Sequence, residues 1–330
     1  MSRALLDQPN ERSSHGVPVP RLGGAAFVPV VWLALAGLAL VSGRLDGVAG
    51  ALLAGMAGLY GISLADDFLN LPSGVRFAVQ GAVAWLLLAV LVARHPAGYD
   101  FLGAWLGPGL GWTGWVSVAG LALWLVGTVN LYNFMDGIDG IAGVQAVVAG
   151  LAWALWGVWV GSAGVLAMGA LVAAAAAGFL TLNWPPARIF MGDAGSTVLG
   201  FLLAAAPLLA AQEAPGTVPF DRLLIAGALA LWPFLLDGTF TLFRRLAKGE
   251  NILQAHRSHL YQRLVIAGRS HQTVTLVYGA LAGVGVGLGS RVVLGGPGAV
   301  LWAAAGVGVL FAGLWSWVVW EEARGRREVP

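Results

Sequence analysis

The chain has 330 residues, 58% of them hydrophobic and only 10% charged, with a formal net charge of +2. Soluble domains are typically about 25% charged, so this composition excludes a soluble fold, and the apolar content excludes a disordered chain. The small net charge and lack of a densely basic face argue against a nucleic-acid partner. Cysteine is absent, which removes disulfides, thiol nucleophiles and zinc–thiolate sites and leaves oxygen or imidazole to hold any metal, pointing to Mg²⁺ or Mn²⁺.

Residues 1–23 are polar and hold no apolar run, so no signal peptide is expected. Crossing a bilayer core takes about 20 apolar residues in a helix. Ten such runs follow, near 24–42, 47–65, 76–93, 113–131, 141–160, 163–181, 195–211, 222–242, 273–290 and 297–319. None alternates as a barrel strand would. The expected fold is all-α: a polytopic transmembrane helical bundle of about ten spans. It forms one integral-membrane domain over 1–330, with a cytoplasmic segment 1–23, a bundle 24–319 and a tail 320–330. Trp105, Trp112, Trp115 and Trp184 are placed at the interfaces as an aromatic belt. No internal repeat is visible, which counts against an inverted-repeat transporter.

With ten spans and a cytoplasmic N-terminus, every Lys and Arg falls on the cytoplasmic side except Arg44, Arg94, Arg222 and Arg291. That bias fixes the orientation, with both termini inside. The same threading puts Asp66, Asp67, Asp136, Asp139 and Asp193 on the cytoplasmic face, although they come from three separate hairpins.

Taken in chain order, Pro18-Val-Pro-Arg21-Leu-Gly23-Gly24 suggests a rigid interfacial loop around an arginine. Asp66-Asp67 ends an apolar helix, where acids are expensive, oppose the helix dipole and usually serve function. Arg76, opening the next helix, is placed to hold a phosphate. Asn130 and Asn133 share a helix face, and Asp136 and Asp139 follow, each before a glycine that favours a loop. Asn183 precedes a Trp-Pro-Pro turn, and Phe190 offers an aromatic face. Asp193 opens the next helix, where backbone N–H groups receive phosphate and the carboxylate holds its metal; a plain N-cap is the alternative. His256, Arg257 and His259 lie in the longest cytoplasmic loop, about 244–272, a combination suited to an anion. Asp237 is an acid inside the eighth span. It either lines the cavity or snorkels toward Arg244 and Arg245.

Carboxylates, a hard-metal site, basic groups and an aromatic on one membrane face suit phosphoryl chemistry between a soluble diphosphate and a lipid. The segments PNERSSHGVPVPRLGG, ADDFLNL, NLYNFMDGIDGIAG, FMGDAGS and AHRSHLYQRL resemble, in order, those of the polyprenyl-phosphate N-acetylhexosamine-1-phosphate transferases. These bacterial enzymes start O-antigen, teichoic-acid and peptidoglycan lipid intermediates. The resemblance implies transfer of a HexNAc-1-phosphate from a UDP-sugar to undecaprenyl phosphate, with release of UMP, at the bacterial inner membrane. It implies Asp193 and Asn133 as Mg²⁺ ligands and Asp66 and Asp67 at the lipid phosphate, one of them as base. Phe190 corresponds to the residue that stacks on uracil, and Asn183, Asp136 and Asp139 to positions around the nucleoside; Asn130 is a further substrate-binding candidate. Arg76, His256, Arg257 and His259 match regions that grip the diphosphate and sugar. A homodimer is compatible with it.

Two departures stand out. Members usually carry one more helix before the PNERS segment, whereas this sequence begins about eight residues before it. Arg76 stands where many have lysine. The His-Arg-Ser-His form favours a GlcNAc or 6-deoxy-HexNAc donor, such as FucNAc or QuiNAc, over the MurNAc-pentapeptide of peptidoglycan synthesis. An intramembrane prenyltransferase would need two separated Asp-rich motifs, and a transporter would hold its charges at the midplane.

Overall fold

In the computed structural model, residues 6–7, 18–69, 71–100, 112–251 and 256–328 are described. Residues 9–17 of the first motif, Asn70, Trp105, loop residues 252–255 and the last two residues of the tail lie outside them.

The described residues form twelve α-helices and one two-residue antiparallel pairing, β1 (Leu6–Asp7) with β2 (Val19–Pro20). Helices α1 (Gly23–Val41), α2 (Gly47–Leu69) and α3 (Ser73–Arg94) lead to α4 (Trp112–Met135). Next come α5 (Ile141–Val160), α6 (Ala163–Asn183) and α7 (Asp193–Glu213). After α8 (Phe220–Ala230) and α9 (Trp232–Ala247), a short α10 (Leu260–Ile266) precedes α11 (His271–Val293) and α12 (Ala299–Glu328). Nine of these are long and apolar enough to cross a membrane, and α8 with α9 supplies a tenth. The protein is a multi-pass membrane protein.

Helix α7 is the core. Ala194–Ala210 are all buried, and α2, α4 and α1 pack around it. In contrast, α1 and α12 turn most of their apolar surface outward: Leu33, Leu301 and Trp302 are exposed, as a lipid environment permits. The α5–α6 contact rests on glycines seven residues apart. Gly143 faces Leu180, Gly150 faces Ala173 and Gly157 faces Leu166, an antiparallel seam in which small residues let the backbones close.

The eighth span departs from expectation. Instead of one helix over 222–242, α8 and α9 meet at a 78° bend. Pro233 lies in the first turn of α9 and has no N–H to continue the ladder. The carbonyls released inside the membrane need other partners. Gln145 Nε2 donates to Ala230 O at 2.8 Å. Leu229 O packs against Gly285, where a Cβ would sit only 2.1 Å away. Trp232 Nε1 donates to Leu281 O at 2.9 Å, tying the bend to α11.

Helix directions follow from the contacts. Gly23 bonds Phe190, Arg76 bonds Asp66 and Asp193, and Tyr261 bonds Phe134. His271 meets Asp139, and Arg263 pairs with Glu322. These residues share one end of the bundle, so the start of α1 and the end of α12 lie there together. The exposed Trp112 and Trp115 mark the opposite end and the exposed Trp184 this one, an arrangement suited to aromatic belts at both interfaces.

Candidate active site

Three backbone features assemble the acidic end. The chain before α1 pairs with the turn before α7: Phe190 N donates to Pro20 O at 2.7 Å, Gly23 N to Phe190 O at 2.9 Å and Gly24 N to Met191 O at 2.7 Å. This contact needs glycine, since a Cβ on Gly24 would lie 2.2 Å from Gly195 N. Gly192 adopts φ +73° with Arg21 O only 2.5 Å from a would-be Cβ, so both its conformation and its surroundings exclude a side chain. Asp193 then opens α7, where the helix dipole favours its negative charge.

The side chains converge from α2, α3, α4 and α7. Asp66 accepts from Leu71 N at 2.7 Å and from Arg76 Nη1 at 2.7 Å. The same Arg76 nitrogen reaches Asp193 Oδ2 at 3.1 Å. The other Asp193 oxygen accepts from Asn133 Nδ2 at 3.1 Å, and that amide also donates to Ser196 Oγ at 2.8 Å. Below them, Ser63 and Thr197 bond at 2.9 Å and lock α2 to α7. Arg21 donates to the backbone oxygen of Asp67 at 3.0 Å, while Asp67 Oδ2 is buried without a hydrogen-bond partner.

These residues fit Mg²⁺. The donors are carboxylate oxygens, and one buried carboxylate oxygen lacks a partner, as an open ligand position would. No three His, Asp or Glu side chains form a closed metal cage among the described residues. Mg²⁺ commonly binds through one or two carboxylates, water and substrate phosphate, so no such cage is required. Asp67 and Asp193 present carboxylate oxygens there, and Asn133, expected from the sequence as a ligand beside Asp193, donates its amide to Asp193 Oδ1.

The Asp136 loop faces the same end. Burial, then the charges of Asp193 and Asp139, push the Asp136 carboxyl up to about 7. Asp139 and Asn183 bind backbone groups of the neighbouring loops. Asp139 Oδ2 accepts from Ala187 N at 3.0 Å and lies 3.3 Å from His271 Nδ1. The buried Asn183 accepts from Gly140 N at 2.9 Å and donates to Ile189 O at 2.8 Å. Both clamp the loop carrying half-buried Phe190 to the Asp136 loop. Asn130 donates to Gln80 Oε1 at 2.6 Å and to Val126 O at 2.7 Å, joining α4 to α3 one turn below the carboxylates.

The basic loop lies beside them. Tyr261 OH donates to Phe134 O at 3.2 Å and packs on Gly137, where it would lie 2.1 Å from a Cβ. The His256 and His259 rings lie 4.9 Å apart, and His259 stacks on Tyr261 at 5.7 Å. Burial, then the neighbouring His259 and Arg245, hold His256 down at about 4, so it is neutral at pH 7. His256 Nδ1 and Ser258 Oγ are 2.9 Å apart. His259 is buried, whereas His256 and Arg257 are half-buried, and of those two Arg257 carries the charge that suits an anion.

Tyr261 and Gln80 were not singled out by the sequence. Gln80 carried a signal in retrospect: it is an amide inside an apolar run, one turn after Arg76. Asp237 does not reach Arg244 by snorkelling; it is buried and bound elsewhere.

A helical membrane bundle with oxygen donors, an arginine and a basic loop at one end suits phosphate chemistry at a membrane. Residues 49–211 match the family described as glycosyl transferase family 4. The probable undecaprenyl-phosphate N-acetylglucosaminyl 1-phosphate transferase of Bacillus subtilis (strain 168) is 29% identical over 273 residues, covering 82% of this chain and 73% of that protein. The decaprenyl-phosphate N-acetylglucosaminephosphotransferase of Mycobacterium leprae (strain TN) is 31% identical over 296 residues, covering 82% and 72%. That of Mycobacterium tuberculosis (strain H37Rv) is 33% identical over 296 residues, covering 82% and 71%. The chain belongs to this family of polyprenyl-phosphate sugar-1-phosphate transferases.

Proposed function

We propose that the protein transfers a HexNAc-1-phosphate from a UDP-sugar to a polyprenyl phosphate such as undecaprenyl phosphate, at the cytoplasmic face of the bacterial inner membrane. The product, a polyprenyl-diphosphate sugar, begins a cell-envelope polysaccharide. One observation carries this reading: Arg76 bridges Asp66 and Asp193 at a membrane end, beside the unpartnered oxygen of Asp67.

In the reaction a phosphate oxygen of the lipid attacks the β-phosphorus of the UDP-sugar. A new P–O–P bond forms, the bond to the bridging oxygen breaks, and UMP leaves with that oxygen. Bound Mg²⁺, or Mn²⁺, held by Asp67 and Asp193, would offset charge on the diphosphate oxygens. Arg76 is placed to take a phosphate once substrate competes with the carboxylates. Asp66, already accepting two hydrogen bonds, is a weak proton acceptor. Asp67 would be a weak one too while it holds the metal, so either acid can serve as base only where the lipid phosphate arrives protonated. Phosphate monoesters have a second pKa of about 6, so that contribution is small at neutral pH. Phe190 would stack on uracil, held in place by the Asn183 clamp, and Arg257 would meet the diphosphate. The His-Arg-Ser-His loop favours GlcNAc or a 6-deoxy-HexNAc donor.

The test is a donor panel. Purified protein with undecaprenyl phosphate and Mg²⁺ is offered UDP-GlcNAc, UDP-GalNAc, UDP-FucNAc, UDP-QuiNAc and UDP-MurNAc-pentapeptide. Nucleotide release with a HexNAc donor supports the proposal. Release with the pentapeptide donor alone would assign the chain to the peptidoglycan branch.

A further inference from the structure

A carboxylate inside a membrane span is costly and calls for a cause. Asp237 on α9 is fully buried, and none of the proposed steps uses it. Four donors converge on it. Leu260 N lies 2.8 Å and Thr241 Oγ1 3.2 Å from its Oδ1. Tyr261 N lies 3.2 Å and Tyr278 Oη 2.6 Å from its Oδ2. They come from α9 itself, the first turn of α10, and α11. A carboxylate offers about four lone-pair sites, so both oxygens are saturated. An amide in its place would turn its NH₂ toward other donors.

Helix α10 spans only seven residues, too few to be stable alone. Asp237 takes the two N–H groups that open it. Gln262 Oε1 accepts from His259 N at 3.3 Å, closing the turn from the other side. His259, immediately before α10, puts Nδ1 3.4 Å from Asp237 Oδ1, without hydrogen-bond alignment. Its ring faces are covered by His256 and Tyr261. Ligand-free sites often hold such contacts long and tighten them when substrate binds.

Resting on the proposed sugar-phosphate transfer, we infer that Asp237 is the positioning residue of the His256–His259 loop. It anchors α10 against the Asp136 loop through the Leu260 and Tyr261 N–H groups and thereby sets where the adjacent His259 ring lies. Asp237 itself touches no substrate.

The test uses the full chain in lipid nanodiscs. Asp237→Asn is expected to raise the KM for the UDP-sugar about tenfold or more, with the KM for polyprenyl phosphate changed less than about twofold. In a His259→Ala background, Asp237→Asn should cost less than about twofold further, because coupled residues are not additive. Should Asp237→Asn fail to fold, Tyr278→Phe, which removes one of the four donors, takes its place with a smaller rise in donor KM. An unchanged donor KM, with kcat lowered only in proportion to folded protein, overturns the inference. Full additivity with His259→Ala also overturns it.

A second readout is independent of turnover. The chain has no cysteine, so Leu69→Cys with Ile266→Cys gives two unique spin-label sites at exposed positions. A single narrow distance that broadens in Asp237→Asn supports the inference, and an identical distribution overturns it. If the unmodified chain releases no nucleotide with any donor, the functional reading falls and this distance measurement alone decides the role of Asp237.

Discussion

Arg76 and Asp193 stand 117 positions apart in sequence, and their side chains meet at 3.1 Å. The contact joins the start of α3 to the start of α7. Because Arg76 also holds Asp66 at 2.7 Å, one guanidinium balances two carboxylates that would otherwise repel.

Replacing Arg76 tests that balance. Arg76→Ala should lower kcat by about a hundredfold, the scale of losing a preorganised charge-stabilising donor. Arg76→Lys keeps the charge and loses the fork, so a loss of about tenfold is expected. All these groups are partly exposed, so the thermal midpoint should move little in either variant. A large fall in midpoint with unchanged kcat would make Arg76 structural.

Gly24 tests how the N-terminal segment is docked. A methyl group there would sit 2.2 Å from the backbone of Gly195. Gly24→Ala should cost about 1–3 kcal/mol, the usual range for overpacking, and displace the Asp193 turn. Gly37→Ala, with open space around it, is the control and should be neutral or slightly stabilising. Equal thermal midpoints for the two variants would refute the docking.

Asn183→Ala removes the partner of both Gly140 N and Ile189 O. Each orphaned buried group costs about 1–3 kcal/mol. The variant should lose stability and also raise the UDP-sugar KM, because the loop carrying Phe190 is released. Loss of donor affinity at full stability would indicate instead a direct nucleotide contact.

The neutral His256 makes stability depend on pH. Its folded-state value is about 4 against an ordinary 6.5. Between those values the unfolded chain binds a proton that the folded protein refuses. Its stabilising share is full above about pH 6.5 and is lost as pH falls toward 4. Thermal midpoints of the unmodified protein should decline across that window, and His256→Gln should flatten part of the slope. Parallel profiles would show that His256 is not held neutral.

The ten spans were legible because bilayer thickness imposes a length that composition alone reveals. The bend at Leu231 was not. Pro233 lies in an unbroken apolar run, and Pro29 and Pro207 sit inside helices that stay continuous, so proline by itself marks no break. What separates Pro233 is the partners at the break, Gln145 and Gly285, which only the fold brings together. That Asp66, Asn133 and Asp193 meet at one end of the bundle was legible, because acids and amides at span ends are costly. Asn130, Asp139 and Asn183 carried the same signal, but the sequence did not show the hydrogen bonds they make to Gln80, Ala187, Gly140 and Ile189, since a buried clamp and a ligand contact ask for the same side chains. Asp237 was visible as an anomaly, but its partners on α10 and α11 lie 23 and more positions away.

The most direct test of the central claim compares the unmodified protein with Asp193→Asn, using UDP-GlcNAc, undecaprenyl phosphate and Mg²⁺. Lipid-dependent transfer at Asp193 predicts UMP and lipid-linked sugar diphosphate in equal amounts, no UMP when lipid or Mg²⁺ is omitted, and near-complete loss in Asp193→Asn with the fold intact. UMP formed without lipid, or undiminished turnover in Asp193→Asn, would contradict it.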